Sequence, residues 1–134
     1  MSIDQQLERW NIFQSLVEQA KKEGLILCMG DMNINLNKIE DPNYYLRNLA
    51  DEYQTLINEC QLEVLDFGIT WTRIQKNSKT KESAVDHAIT NKIESINSHF
   101  KIQIDYSDHS MICVDLIIEV PKILNNRTIT CRDF

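Results

Sequence analysis

The chain has 134 residues and a formal net charge of −6, enough for one domain of roughly 100–150 residues with a core of its own. Hydrophobic residues at 43% and charged residues at 25% exclude a disordered chain, and 3 Gly and 2 Pro are too few for a loop-dominated fold. The acidic balance excludes a protein that grips nucleic acid mainly through bulk positive charge. It does not exclude a nuclease, whose carboxylates are offset by a bound cation.

Leu7, Trp10, Phe13, Leu16, Val17 and Ala20 recur at spacings of three and four, which predicts an amphipathic helix stopping at Gly24. The apolar run from Leu25 to Met29 then predicts a short strand buried on both faces. Asn33 to Asn43 is polar and reads as a loop, with Asp41 and Asn43 as candidate N-caps of a second helix. The stripe of that helix is Tyr45, Leu46, Leu49, Tyr53, Leu56, Ile57 and Cys60. Strands are expected from Leu62 to Phe67, Ile69 to Ile74, Ser83 to Thr90, Phe100 to Ile104 and Met111 to Val120. Between them lie a lysine-rich loop or hairpin tip (Gln75 to Glu82) and a turn (Tyr106 to Ser110). Pro121 stops the last strand, so residues 1–121 read as the domain and 122–134 as an extended tail. This order predicts an α/β (α+β) fold, a mixed sheet with helices on one face.

Cys28, Cys60, Cys113 and Cys131 are too dispersed for a zinc site. Cys28 and Cys113 sit in apolar runs and are expected as buried thiols in a reducing compartment. No apolar run approaches the ~18 residues of a membrane helix, and the charged N-terminus does not resemble a signal peptide. A soluble intracellular protein of the nucleus or cytoplasm, with no membrane partner, is the expectation.

Three segments place ionisable groups at the ends or in the middle of apolar strands. Gly30-Asp31-Met32-Asn33 follows the first buried strand, at the carboxyl end where ligand sites of α/β sheets gather. If the segment is extended, Asp31 and Asn33 share a face; otherwise it is a turn built from Asp and Asn. In Ser83-Ala84-Val85-Asp86-His87-Ala88-Ile89, Asp86 falls on a face with Ala84 and Ala88. A carboxylate there is costly unless paired, or unless the strand is an edge open to water. In Ser107-Asp108-His109-Ser110 the adjacent Asp and His point to different sides, so His109 is expected to pair with Asp86 instead. Asp108 is then free to ligate a hard cation through oxygen, unless the segment is only a solvated turn. Together these groups suit phosphate-ester hydrolysis.

The same residues resemble a known family. Gly30-Asp31-Met32-Asn33 resembles the G-D-F-N motif of the endonuclease/exonuclease/phosphatase superfamily. Ser83-x-x-Asp86 resembles its S-x-h-D-h motif, where h is apolar, Ser107-Asp108-His109 its final S-D-H motif, and Thr70-Trp71 the strand before the second motif. Within it, Val85-Asp86-His87 and Ser107-Asp108-His109-Ser110 look most similar to segments of the endonuclease domains of non-LTR (LINE-like) retrotransposons. The stretch from Arg127 to Phe134 is similar to the one leading from such an endonuclease toward a reverse transcriptase domain.

The resemblance implies a metal-dependent DNA endonuclease using Mg²⁺ or Mn²⁺. Asp31 would orient or deprotonate the attacking water and help hold the metal. Asn33 would contact the scissile phosphate, and His109, supported by Asp86, would stabilise the transition state. Asp108 would bind the metal, with Ser83 and Ser107 behind these groups. Trp71, Arg73, Lys76, Lys79 and Lys81 would meet the DNA, although scattered lysines also suit a solvated loop tip. Met32 departs from the family's usual aromatic. The likeness runs from about Trp10 onward and implies the C-terminal portion of a four-layered α/β sandwich, with one apolar sheet face left open to association. Family members draw a metal-binding Glu from earlier strands, whereas Glu8, Glu18 and Glu23 lie on a predicted helix. The alternatives are therefore an inactive remnant that binds nucleic acid or protein, and a superfamily phosphatase acting on another phosphoester.

Overall fold

The computed structural model describes residues 2–118. The expected tail, Cys131 and the end of the last expected strand lie outside the described residues. Helix α1 (Ile3–Glu23) opens on a reciprocal cap: Ser2 Oγ accepts from the Gln5 N–H at 3.2 Å, and Gln5 Oε1 accepts from the Ser2 N–H at 3.1 Å. It ends at Gly24, whose φ of +132° suits a residue without Cβ. Trp10 and Val17 are buried, while Leu7 and Leu16 face outward, so the buried stripe is narrower than its sequence pattern.

Helix α2 (Arg47–Glu59) starts later than the expected caps. Asp41 Oδ1 instead closes a turn by accepting from the Asn43 N–H at 2.9 Å. Arg47 anchors the helix start: its guanidinium donates to the carbonyls of Ile39 and Asp41, each at 2.7 Å, and pairs with Asp51 at 3.0 Å. Leu49, Ala50, Tyr53 and Leu56 form the buried face.

The strands are β1 (Leu27–Asp31), β2 (Glu63–Asp66), β3 (Trp71–Ile74), β4 (Thr80–Ser83), β5 (Asp86–Thr90), β6 (Ile96–Ile102) and β7 (Met111–Leu116). They form a three-stranded sheet ordered β1-β5-β2 and two hairpins, β3-β4 and β6-β7. Every pairing among the described residues is antiparallel, so the expected mixed sheet does not form. The physical reason is the position of β5. Helix α2 joins β1 to β2 in the manner of a parallel crossover, but β5 runs antiparallel between them and separates the two.

The single strand expected from Ser83 to Thr90 is broken after Ser83. Strand β4 pairs with β3, β5 pairs with β1 and β2, and Ala84-Val85 crosses between. Backbone groups of the crossing are taken up by residues 32–36. Met32 N–H donates to the Val85 carbonyl at 2.8 Å, Leu36 N–H to the Ala84 carbonyl at 3.0 Å, and Ala84 N–H to Asn35 Oδ1 at 3.1 Å. Strand β6 begins at Ile96, earlier than expected, because Asn97, Ser98 and His99 hide it behind polar residues and an irregular register.

All five residues of β5 are buried, and the sheet is covered on both faces. Ile89, Cys28 and Val64 pack with Trp10, Val17 and the buried face of α2. Ala88, Leu65 and Leu27 pack against Ile96, Ile112 and Val114 of the β6-β7 hairpin. The layers are therefore helices, sheet and hairpin, an α+β arrangement with both helices against one face. Phe100, Ile102 and Met111 of the hairpin stand exposed. Of the cysteines, Cys60 is buried, whereas Cys28 and Cys113, expected as buried, are half-buried free thiols.

His87 ties the layers together. Its ring is wholly buried, with Nε2 3.1 Å from the Ile34 carbonyl and Nδ1 2.7 Å from the Tyr53 hydroxyl. A carbonyl can only accept, so the proton sits on Nε2 and the Tyr53 O–H donates to Nδ1. Burial pushes the imidazole below its ordinary pKa and keeps it neutral. Tyr53→Phe leaves Nδ1 buried without a donor. The expected loss is about 1–3 kcal/mol of folding stability, read as a lower urea midpoint with unchanged slope.

Candidate active site

The last residue of β1 and the first of β5 lie directly opposite one another: Asp31 pairs with Asp86. Opposed residues of an antiparallel pair share a face, which places both carboxylates at one end of the sheet, on the face covered by the hairpin. Asp86 is only 8% exposed, and a carboxylate so buried needs a cation or hydrogen-bond donors. One donor among the described residues reaches the carboxylate. His109 Nδ1 lies 2.8 Å from Asp86 Oδ2, as its strand position implied. The Asp86 N–H donates to the buried Thr70 hydroxyl at 3.0 Å.

His109 is carried by the connection between β6 and β7, which is fastened to β3. Thr72 N–H donates to the Asp108 carbonyl at 3.0 Å, Ser110 N–H to the Thr70 carbonyl at 2.7 Å, and Trp71 forms a bridge with His109. The Ser107 hydroxyl accepts from the His109 N–H at 3.1 Å. The ring's other nitrogen, Nε2, lies 3.9 Å from Asp31 Oδ2, too long for a hydrogen bond. The hydrogen bond to Asp86 chiefly raises the His109 pKa above its ordinary value, and the charge of Asp31 adds to this. Ligand atoms of Asp31, Asp86 and His109 lie within 4.8 Å of one another, so the three can together hold a metal ion.

Asn33 stands differently from the extended reading. Its φ is +57°, and its N–H donates to Asp31 Oδ1 at 2.9 Å, so the segment is the Asp-Asn turn. It still lines the same cleft, of about 750 Å³, with Asp31, Trp71, Lys81, Ser83 and His109. The Asp108 carboxylate accepts from Trp71 Nε1–H at 3.1 Å and is not one of the three grouped residues. Lys81 belongs to β4 rather than to a loop. Arg73, Lys76 and Lys79 are exposed on the same hairpin.

Two contributors escaped sequence reasoning. Tyr45, assigned to the apolar stripe, is 86% exposed and lines the cleft, while its neighbour Tyr44 is buried. Both tyrosines precede α2, so the helical period of the stripe does not govern them. Asn35 links the cleft loop to both sides: its side chain accepts from Ala84 and Asn37, and its N–H donates to the Tyr44 hydroxyl. An asparagine in an asparagine-rich loop gave no sign of this.

Comparison with protein-family models, with characterised proteins and with solved structures finds no match. Among the described residues, no helix is long and apolar enough to cross a membrane.

The Asp86–His109 pair makes a pH prediction. With its pKa raised by Asp86, His109 keeps its proton to higher pH than a free imidazole. The stability it contributes is complete below the ordinary pKa and lost as pH rises through the raised one. In Asp86→Asn the imidazole is expected to titrate at lower pH than in the parent, followed by its NMR ring signals against pH. An unchanged titration would show that Asp86 is not the source of the shift.

Proposed function

We propose that this cleft is the active site of a phosphodiesterase that uses a divalent cation, and that its substrate is DNA. The observation carrying this reading is the meeting of Asp31, Asp86 and His109, brought from three separate chain segments to one end of the sheet. The donor set fits a divalent cation. The carboxylates of Asp31 and Asp86 are the oxygen ligands a hard ion such as Mg²⁺ or Mn²⁺ takes, and they would hold it. When bound, the cation supplies positive charge against phosphate oxygens.

The chain's own groups divide the remaining work. His109 holds one nitrogen against Asp86 and keeps Nε2 without a hydrogen-bonded partner among the described residues. A protonated ring in this pose presents an N–H to a phosphate oxygen, where charge builds up as the ester is attacked. Asp31, the exposed carboxylate, orients the attacking water, and Asn33 beside it offers an amide to the same phosphate. Lys81 in the cleft, with Arg73, Lys76 and Lys79 on the same hairpin, supplies phosphate contacts despite the net charge of −6. The likeness of the three motifs to retrotransposon endonucleases supports DNA as the substrate.

Nicking of supercoiled plasmid by the purified chain with Mg²⁺ tests this reading. The parent is expected to nick, and Asp31→Ala and His109→Ala are each expected to lose about a hundredfold or more of that rate. A parent that never nicks but still retards the plasmid in a gel would replace the enzyme with a binding module. Unchanged nicking by His109→Ala would remove the assigned site.

A further inference from the structure

The Asp108 carboxylate is exposed and next in sequence to His109, yet it is not among the grouped ligands. Its Oδ2 accepts the Trp71 indole N–H at 3.1 Å, while its main-chain carbonyl accepts the Thr72 N–H at 3.0 Å. Side chain and backbone of one residue thus clip onto two successive residues of β3. The residue held is a half-buried tryptophan that lines the cleft beside Asp31 and His109. An indole has one donor and no acceptor, so this single bond selects the ring's orientation. Ligand atoms of Asp31, Asp86 and His109 gather within 4.8 Å without Asp108.

We propose that Asp108 is a positioning residue for Trp71 and not a ligand of the cation: it fixes the indole as a cleft wall for a base or sugar flanking the scissile phosphate. The proposal rests on the phosphodiesterase reading. A flat apolar face beside a phosphate site suits a nucleotide, because every base has a π-face and the sugar has an apolar edge. Asp108 would act only through the ring.

The test separates the two roles with Asp108→Asn. The amide keeps an oxygen to accept the indole N–H but loses the charge a hard cation requires. Trp71 is read in a Trp10→Phe background. The only other tryptophan is removed there at no hydrogen-bond cost, since the buried Trp10 Nε1 has no partner among the described residues. Acrylamide quenching of Trp71 is expected to be the same for parent and Asp108→Asn and stronger for Asp108→Ala. Mn²⁺ affinity by calorimetry should stay within about twofold in Asp108→Asn and fall about tenfold or more in Asp31→Asn. In plasmid nicking, Trp71→Phe and Asp108→Ala should each raise KM about tenfold with kcat nearly kept, and the double variant should be no worse than either.

A tenfold loss of Mn²⁺ affinity in Asp108→Asn would make Asp108 a ligand and overturn the proposal. So would quenching that ignores Asp108→Ala, or losses that add in the double variant. Quenching needs neither turnover nor metal, so it decides the Asp108–Trp71 link even where the parent proves inactive.

Discussion

Burying the Asp86 carboxylate would cost several kcal/mol if it stood alone, and the His109 ring answers that cost. The Thr70 hydroxyl meets the residue's backbone N–H, and the His109 ring meets its carboxylate. Both come from outside the three-stranded sheet. Thr70 directly precedes β3, and His109 sits between β6 and β7, so one residue, through its backbone and its carboxylate, gathers two hairpins at one end of β5. Fastening residues 108–110 to β3 through backbone bonds then holds His109 within reach of Asp31. The site is a consequence of satisfying Asp86 as much as of placing catalytic groups.

Strand β5 carries two neighbouring residues with opposite tasks. Asp86 faces the hairpin layer and favours the charged form of a histidine, while His87 faces the helices, where burial disfavours its charged form. The alternation of a strand makes this possible, since successive side chains leave on opposite faces. His87 also grips the Ile34 carbonyl, three residues after Asp31. The loop that follows β1 is thereby fixed from the helix side while Asp31 is positioned from the hairpin side. Rigid support of this kind keeps a site's geometry from depending on its exposed loop.

The parts of this arrangement that were legible in the sequence are those with a steep energetic penalty. An aspartate in an apolar strand had to find a partner, and a histidine whose neighbour pointed elsewhere was the one available; that pair forms. The two helices and the presence of a strand after the first of them followed from the apolar pattern, but β1 lies at the sheet edge with Met29 exposed and is not the strand buried on both faces. The break between β4 and β5 left no mark, because Ala84 and Val85 continue the apolar pattern while their backbones pair with residues 32–36. Sheet direction was hidden for a similar reason. A strand–helix–strand order reads as a parallel crossover, and nothing local says that a later strand will insert between the two. Of the two readings open for Asp31-Met32-Asn33, the turn forms, because the Asp31 side chain accepts from the Asn33 N–H and fixes its left-handed backbone.

The contrast between the two opposed carboxylates bears on what the site can do. The Asp86 side chain is 10% exposed and hydrogen-bonded to a ring whose charged form it favours. The Asp31 side chain is 40% exposed, with one oxygen engaged by the Asn33 N–H and the other facing His109 across 3.9 Å. Asp86 thus spends one oxygen on the protein and is shielded from water. Asp31, with its second oxygen open to the cleft, keeps lone pairs for a ligand. The gap between Asp31 Oδ2 and His109 Nε2 is too wide for them to satisfy each other, yet narrow enough for one small oxygen group to reach both. A carboxylate left unsatisfied toward solvent and an imidazolium N–H aimed at the same point together make a place for a water or a phosphate oxygen. It is this unspent pair, more than the buried one, that gives the cleft its chemistry.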